Sequence, residues 1–151
     1  MSDSDTTLRS GSGWCAAALH EIPGVPTATD PGDPDWKALS HWLGIGAFGL
    51  NAYVAHAAGD ELAAEHDEAG SGHEEVYLVL AGRVRFNVGG ETFDASPGQA
   101  VAVRDPSVTR SAEALEPGAT LLGVGCRAGC FETSWSPRHF EHLGRHPALG
   151  A

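Results

Sequence analysis

From Phe48 onward, apolar positions alternate with polar or small ones. Phe48, Leu50, Ala52 and Val54 interleave with Gly49, Asn51, Tyr53 and Ala55, the period-two pattern of a half-buried strand. Residues 57–72, rich in Gly, Asp, Glu and Ala, read as a loop. Glu75 to Leu80 is a β-branched and aromatic run that Ala81-Gly82 breaks. Arg83 to Val88 alternates again, Gly89-Gly90 is a tight hairpin signal, and Glu91 to Asp94 is the return. Pro97-Gly98 turns the chain into Gln99 to Val103, Asp105-Pro106-Ser107 into Val108 to Ala114, and Pro117-Gly118 into Ala119 to Gly125. Turns about every 8 to 12 residues are the rhythm of a sandwich or small barrel.

The flanks read differently. Asp33-Pro34-Asp35-Trp36 predicts a helix start, with Asp33 as N-cap and Pro34 at the first helical position. Trp36, Leu39 and Trp42-Leu43 then fall at helical spacing, and Gly44 ends the run. Residues 1–33 have little periodicity and predict a loosely ordered N-terminal arm. From Ser136-Pro137 onward, Phe140 and Leu143 predict a short C-terminal helix.

Composition narrows the picture. A chain of 151 residues with 42% hydrophobic content is long enough for one globular domain with a real core. Twenty Gly and nine Pro favour many short elements, hence an all-β chain. The net charge of −11, with Lys37 the only lysine and the arginines scattered, argues against nucleic-acid or membrane-surface partners. Apolar stretches fall far short of the ~20 residues that span a bilayer. The polar N-terminus lacks the pattern of a signal peptide. Cys15, Cys126 and Cys130 make an odd count at no disulfide-framework spacing, so free thiols and a cytoplasmic location are expected. No G-x-S-x-G elbow or phosphate loop occurs.

Candidate chemistry lies between Gly59 and Gly82. His66 and Glu68 share one face of an extended segment, and His73 and Glu75 another. Mixed imidazole and carboxylate donors suit Zn, Fe, Mn, Ni or Cu without choosing among them. Two readings without metal stand beside this one. His66, Glu68 and His73 can be solvated rim residues, and Glu75 an interior carboxylate bonded to Thr109 or Arg110. His56 ends a strand alternation that could face the same cavity. His20, His41, His139, His142 and His146 read as surface residues.

Gly59, His66 and the ungapped Glu75 to Gly82 run resemble the first motif of the cupin superfamily. Glu68 stands where the second histidine belongs, and a Gly-Ser-Gly insertion separates it from His73. The second motif begins at Gly98, but Arg104, Pro106 and Thr109 replace its proline, glycine and metal-binding histidine. The resemblance covers roughly Phe48 to Gly125. It implies an all-β, cupin-type jelly-roll β-barrel with short flanking helices, paired as a homodimer, with its ligand site inside. The expected layout is the arm at 1–33, a barrel with its leading helix at 34–135, and a C-terminal helix and tail at 136–151.

In metal-binding cupins three histidines and a glutamate hold one divalent transition ion. The resemblance leaves His66 and Glu75 as matches and His73 as a replacement ligand. Inward alternation of Glu75, Tyr77 and Val79 opposite Val84, Phe86 and Val88 predicts a mostly apolar cavity with a polar end. Tyr77, Phe86 and Thr109 are its expected pocket residues. The acids crowding one mouth favour a neutral or cationic small organic ligand. Two functions follow: a metal-dependent enzyme of the dioxygenase, isomerase or cyclase kind, or a non-catalytic ligand-binding or sensing barrel with a degenerate metal site. A third, structural role predicts a barrel packed solid.

Overall fold

The computed structural model describes residues 8–25, 33–132, 140 and 144–149. Its strands are β1 (Arg9–Gly11), β2 (Trp14–Ala16), β3 (Asp35–Lys37), β4 (Gly49–Val54), β5 (Glu61–His66) and β6 (His73–Ala81). They continue as β7 (Val84–Val88), β8 (Glu91–Ala95), β9 (Ala100–Val103), β10 (Arg110–Ala114) and β11 (Thr120–Arg127). Helix α1 spans Leu39–Leu43. Every strand pairing is antiparallel. One sheet has the order β3-β4-β11-β6-β9, the other β5-β10-β7-β8, and β1-β2 form a separate ribbon. This is the two-sheet arrangement the strand rhythm predicts, in the jelly-roll form the motif resemblance implies.

The alternation of hydrophobic positions decides which faces meet. Tyr77, Val79, Val103 and Leu121 from the five-stranded sheet join Val84, Phe86, Ala95, Ala112 and Ala114 from the other in one buried cluster. Each fully buried Val, Leu or Phe contributes about 1.5–3 kcal/mol. The hairpin closes through Gly89 and Gly90, both at positive φ, with Val88 opposite Glu91. A smaller cluster of Ile22, Leu39 and Ala52 covers part of the outer face of β4. Lys37, itself buried, donates from Nζ to the Ile22 carbonyl at 2.6 Å and ties the N-terminal segment down.

Two elements differ from the sequence expectation. The predicted helix from Asp33 is strand β3 followed by the shorter α1, which does end at Gly44 in a left-handed conformation (φ 72°). Trp36 pairs opposite Tyr53 and Lys37 opposite Ala52, so sheet pairing overrides a helical spacing that local sequence suggests. The predicted loop over 57–72 contains β5. Glu and Ala are poor strand formers, and β5 pairs with β10 alone through an irregular register, so local sequence hardly marks it.

Within 1–33, the described residues form the β1-β2 ribbon and a 3-10 turn at Leu19–Glu21, and Ile22 is buried. Of the C-terminal helix predicted from Ser136, residues 136–139 and 141–143 lie outside the described residues, and Pro147–Leu149 form a 3-10 turn. Among the described residues no helix is long and apolar enough to cross a membrane.

Candidate functional site

Polar side chains converge at one end of the barrel interior. Strand β6 sends Glu75 and Tyr77 inward, β5 ends with His66, and the following loop returns Glu68. Opposite Glu75 and Tyr77 on β11 lie Gly125 and Gly123. A Cβ on Gly125 would stand 3.2 Å from Glu75 Cγ, and one on Gly123 would stand 3.6 Å from the Tyr77 ring. Bare backbone there lets both side chains lie against the strand. Tyr77 donates to Glu75 Oε2 at 2.6 Å.

Loop hydrogen bonds fix the rest. The Glu68 amide donates to the Pro106 carbonyl at 2.7 Å, and the Glu68 carbonyl accepts from the Ser71 and Gly72 amides. The Ser71 hydroxyl donates to the Glu68 carboxylate. His66 Nδ1 lies 2.6 Å from the Ala64 carbonyl. A carbonyl only accepts, so Nδ1 carries the hydrogen and Nε2 faces the carboxylates. That Nε2 stands 3.7 Å from Glu68 Oε1 and 3.8 Å from Glu75 Oε2.

Arg110 completes the cluster. Its side chain is 1% exposed, and Nη1 donates to the Val108 carbonyl at 2.9 Å. Nε lies 3.1 Å from Glu75 Oε2, yet neither Nε nor Nη2 has a hydrogen-bond partner among the described residues. The contact is therefore an ion pair by distance without hydrogen-bond alignment. A buried guanidinium of this kind depends on the opposite charge beside it.

Several expected site residues land elsewhere. Thr109 is exposed, because the inward positions of β10 are 110, 112 and 114. The motif register thus places the histidine-equivalent position one residue early, and Arg110 turns inward in its place. Phe86, 1% exposed, packs in the core between Tyr77 and Phe93 rather than lining an open pocket. Tyr77 stands at the boundary, its ring in the core and its hydroxyl in the cluster. His56 is more than half exposed and pairs with Asp35 at 3.3 Å, on no cavity wall that the cluster uses.

The expected metal set of His66, His73 and Glu75 is not what converges. His66, Glu68 and Glu75 each offer an atom, all within 4.8 Å of one another. His73 sits to the side, with Nδ1 3.8 Å from Glu68 Oε2. The three donors are of a type that transition metals accept. Arg110 is what does not fit. Two like unit charges about 4 Å apart repel by about 4 kcal/mol at an effective dielectric of about 20, and a divalent ion doubles the charge. A permanent cation already pairs with Glu75 and opposes part of the attraction that the two carboxylates would offer a divalent ion.

The sequence reading also overlooked Tyr53. Its ring, like that of Tyr77, lies against Gly123, and burial first, then the charges of Glu75 and Glu68, hold its phenol above the ordinary value of 10.0. Burial and then the hydrogen bond to Glu75 push Tyr77 higher still. Tyr53 and Trp36 line a hollow of about 390 Å³ with Asp60, Glu61 and Leu62. Trp36 is steadied by its indole N–H donating to Asn51 Oδ1 at 3.2 Å. Tyr53 could have been found from its inward phase beside Asn51 on β4.

No protein-family model and no curated protein matches the sequence. Solved structures do match the fold. A protein with a double-stranded β-helix domain from Klebsiella pneumoniae aligns at 17% identity over 77% of this chain and 92% of its own, with a TM-score of 0.58. A putative sugar phosphate isomerase from Acidithiobacillus ferrooxidans aligns at 18% identity over 72% of this chain and 70% of its own, with a TM-score of 0.57. A cupin protein from Bacteroides fragilis aligns at 18% identity over 74% and 91%, with a TM-score of 0.52. At these identities the likeness is one of fold.

Proposed function

We propose that this chain, a cupin by fold, binds a small organic molecule at the barrel mouth formed by Tyr53, His66, Glu68, Glu75 and Arg110. One observation carries the reading. The far interior is closed by Val79, Val84, Phe86 and Leu121, whereas the His66, Glu68 and Glu75 side chains remain 35%, 21% and 17% exposed. Polar groups held in place yet partly open, with the Tyr53 ring reaching from them to a neighbouring hollow, are what a ligand site needs. A fully packed barrel, the structural alternative, would not keep them open.

Charge narrows the ligand. Glu68 and Glu75, in a chain of net charge −11, disfavour anions, and buried Arg110 disfavours cations. A neutral hydroxylated molecule satisfies both, donating to the carboxylates while its apolar face rests on Tyr53 and Trp36. Titrating the protein with D-ribose, acetate and ethylammonium, followed by NMR, tests this. Ribose should shift the His66 and Tyr53 resonances, and Tyr53→Ala or Glu68→Gln should abolish the effect. Shifts confined to the outer sheet face, or produced only by the charged probes, would refute it.

The enzyme reading draws on one feature, a tautomer of His66 that leaves Nε2 facing two carboxylates and able to take up a proton. We also propose a homodimer. Val76, Leu80 and Phe48 are 42%, 45% and 43% exposed, more apolar surface than a lone sheet face ordinarily leaves to water. The cysteines Cys15, Cys126 and Cys130 are all unpaired, which suits the reducing cytoplasm.

A further inference from the structure

We infer that the Arg110 guanidinium is a built-in cation standing in for a metal ion, and that neutralising it opens a divalent-metal site on His66, Glu68 and Glu75. The inference goes beyond the ligand reading and does not depend on which molecule the mouth accepts.

Three observations converge. First, donor atoms of His66, Glu68 and Glu75 already lie within 4.8 Å of one another; backbone and loop contacts hold the first two, and the Tyr77 hydroxyl holds Glu75 beside the arginine. The imidazole is set by the Ala64 carbonyl, and Glu68 by Pro106, Ser71 and Gly72. Removing the guanidinium leaves the Ala64, Ser71, Gly72 and Tyr77 contacts in place, and at the Pro106 carbonyl that anchors Glu68 it takes away only a long contact. Second, Arg110 comes from the facing sheet, beside His66 across the β5-β10 pairing, and reaches Glu75 at 3.1 Å. Its position is where a fourth donor from β10 would enter the same cluster. Third, Arg110 is an imperfect partner for Glu75, since Nε and Nη2 both lack aligned acceptors. Its contribution at this point is charge rather than a bidentate grip.

The pairing makes chemical sense of the cluster. Two carboxylates brought this close need a compensating cation, and the chain supplies one that neither dissociates nor depends on metal supply. Because the guanidinium stays charged at all accessible pH, it repels divalent ions permanently. An imidazole in its place would remove the charge and add a donor. A glutamine would remove the charge alone, so the two changes separate exclusion from ligand number.

The test is isothermal titration of the full, untagged chain with Zn²⁺, Ni²⁺ and Mn²⁺. The wild type, Arg110→His, Arg110→Gln and the double variant Arg110→His/Glu68→Gln are compared, with circular dichroism confirming the β fold of each. The wild type should show no stoichiometric binding. Arg110→His should bind one ion per chain, at least roughly 100-fold more tightly than any residual binding by the wild type, and adding Glu68→Gln should remove most of that gain. Arg110→Gln should fall between them. The inference is overturned if the wild type binds one equivalent as tightly as Arg110→His, or if folded Arg110→His and Arg110→Gln bind no better than the wild type. Should both Arg110 variants fail to fold, the wild type decides: stoichiometric binding that Glu68→Gln abolishes overturns the inference, and the lack of such binding supports it.

Discussion

Tyr53 and Tyr77 are the only two tyrosines in the chain, and both phenols lie at the mouth, shifted above the ordinary value of 10.0. Burial is the larger cause in each, since a phenolate there would lose hydration and face Glu75. Unfolded tyrosines ionise near 10 while the folded ones hold their protons to higher pH. Their contribution to stability is thus intact below pH 10 and is lost as pH rises from there towards the folded values. Folded protein at pH 10 should show less phenolate absorbance than two free tyrosines, and the missing part should appear on unfolding. Ordinary half-titration of both residues at that pH, with the fold intact, would contradict the geometry.

The one-residue offset between Thr109 and Arg110 belongs to the same scale. Counting along the expected motif reaches Thr109, but a strand has period two, so a shift of one residue exchanges inside for outside. The buried alternation of Ala112 and Ala114 points back to Arg110 instead. That alternation was legible in the sequence. Its pairing with Glu75 was one of two partners the sequence left open, and the structure takes Arg110 over Thr109.

Among the elements, β6, β7 and β8 were the most legible, since Val, Tyr, Leu and Phe alternate there and Gly89-Gly90 marks the turn. Strands β3 and β5 were not, because long-range partners define them: Tyr53 for Trp36, and β10 for the charged Glu61 to His66 stretch. Turns differ too. At Gly82, between β6 and β7, φ is +64° and an added Cβ would lie 2.7 Å from Ala119 Cα. At Gly90 φ is +88° with nothing within 4 Å. Gly90→Ala should cost about 1–2 kcal/mol, the left-handed penalty alone, whereas Gly82→Ala should cost more because backbone must also move. Urea unfolding of the two variants checks the ranking; equal losses would count against the packing of the β6-β7 turn on Ala119.

For the whole molecule, the two faces of the five-stranded sheet have different fates. The inner face is sealed by the second sheet. The outer face is covered near Leu50, Ala52 and Leu122 by the cluster around Ile22 and Leu39, while Val76 and Leu80 stay exposed. A hollow of about 600 Å³ lined by Phe48, Val76, Ala102, Val124 and Phe131 lies on this side. If a second copy covers it, Val76→Glu with Leu80→Glu should convert dimer to monomer in sedimentation while leaving the inward-facing cluster folded. A wild type that sediments as a monomer at micromolar concentration would refute the dimer.

The sequence by itself determined the strand rhythm, the hairpin and an all-β sandwich or small barrel, which rest on period-two burial and turn chemistry and are local. The jelly-roll class came from the resemblance to the cupin motifs, and the crowding of acids and histidines between Gly59 and Gly82 from composition. Tertiary structure alone decided that Glu68 rather than His73 joins His66 and Glu75, and that Tyr53 shares their mouth. It also chose between the two partners the sequence left open for Glu75, setting the Arg110 guanidinium against it and turning Thr109 outward. Those outcomes depend on register across β5, β10, β6 and β11, where strands far apart in sequence meet and one residue of slip reverses every side chain.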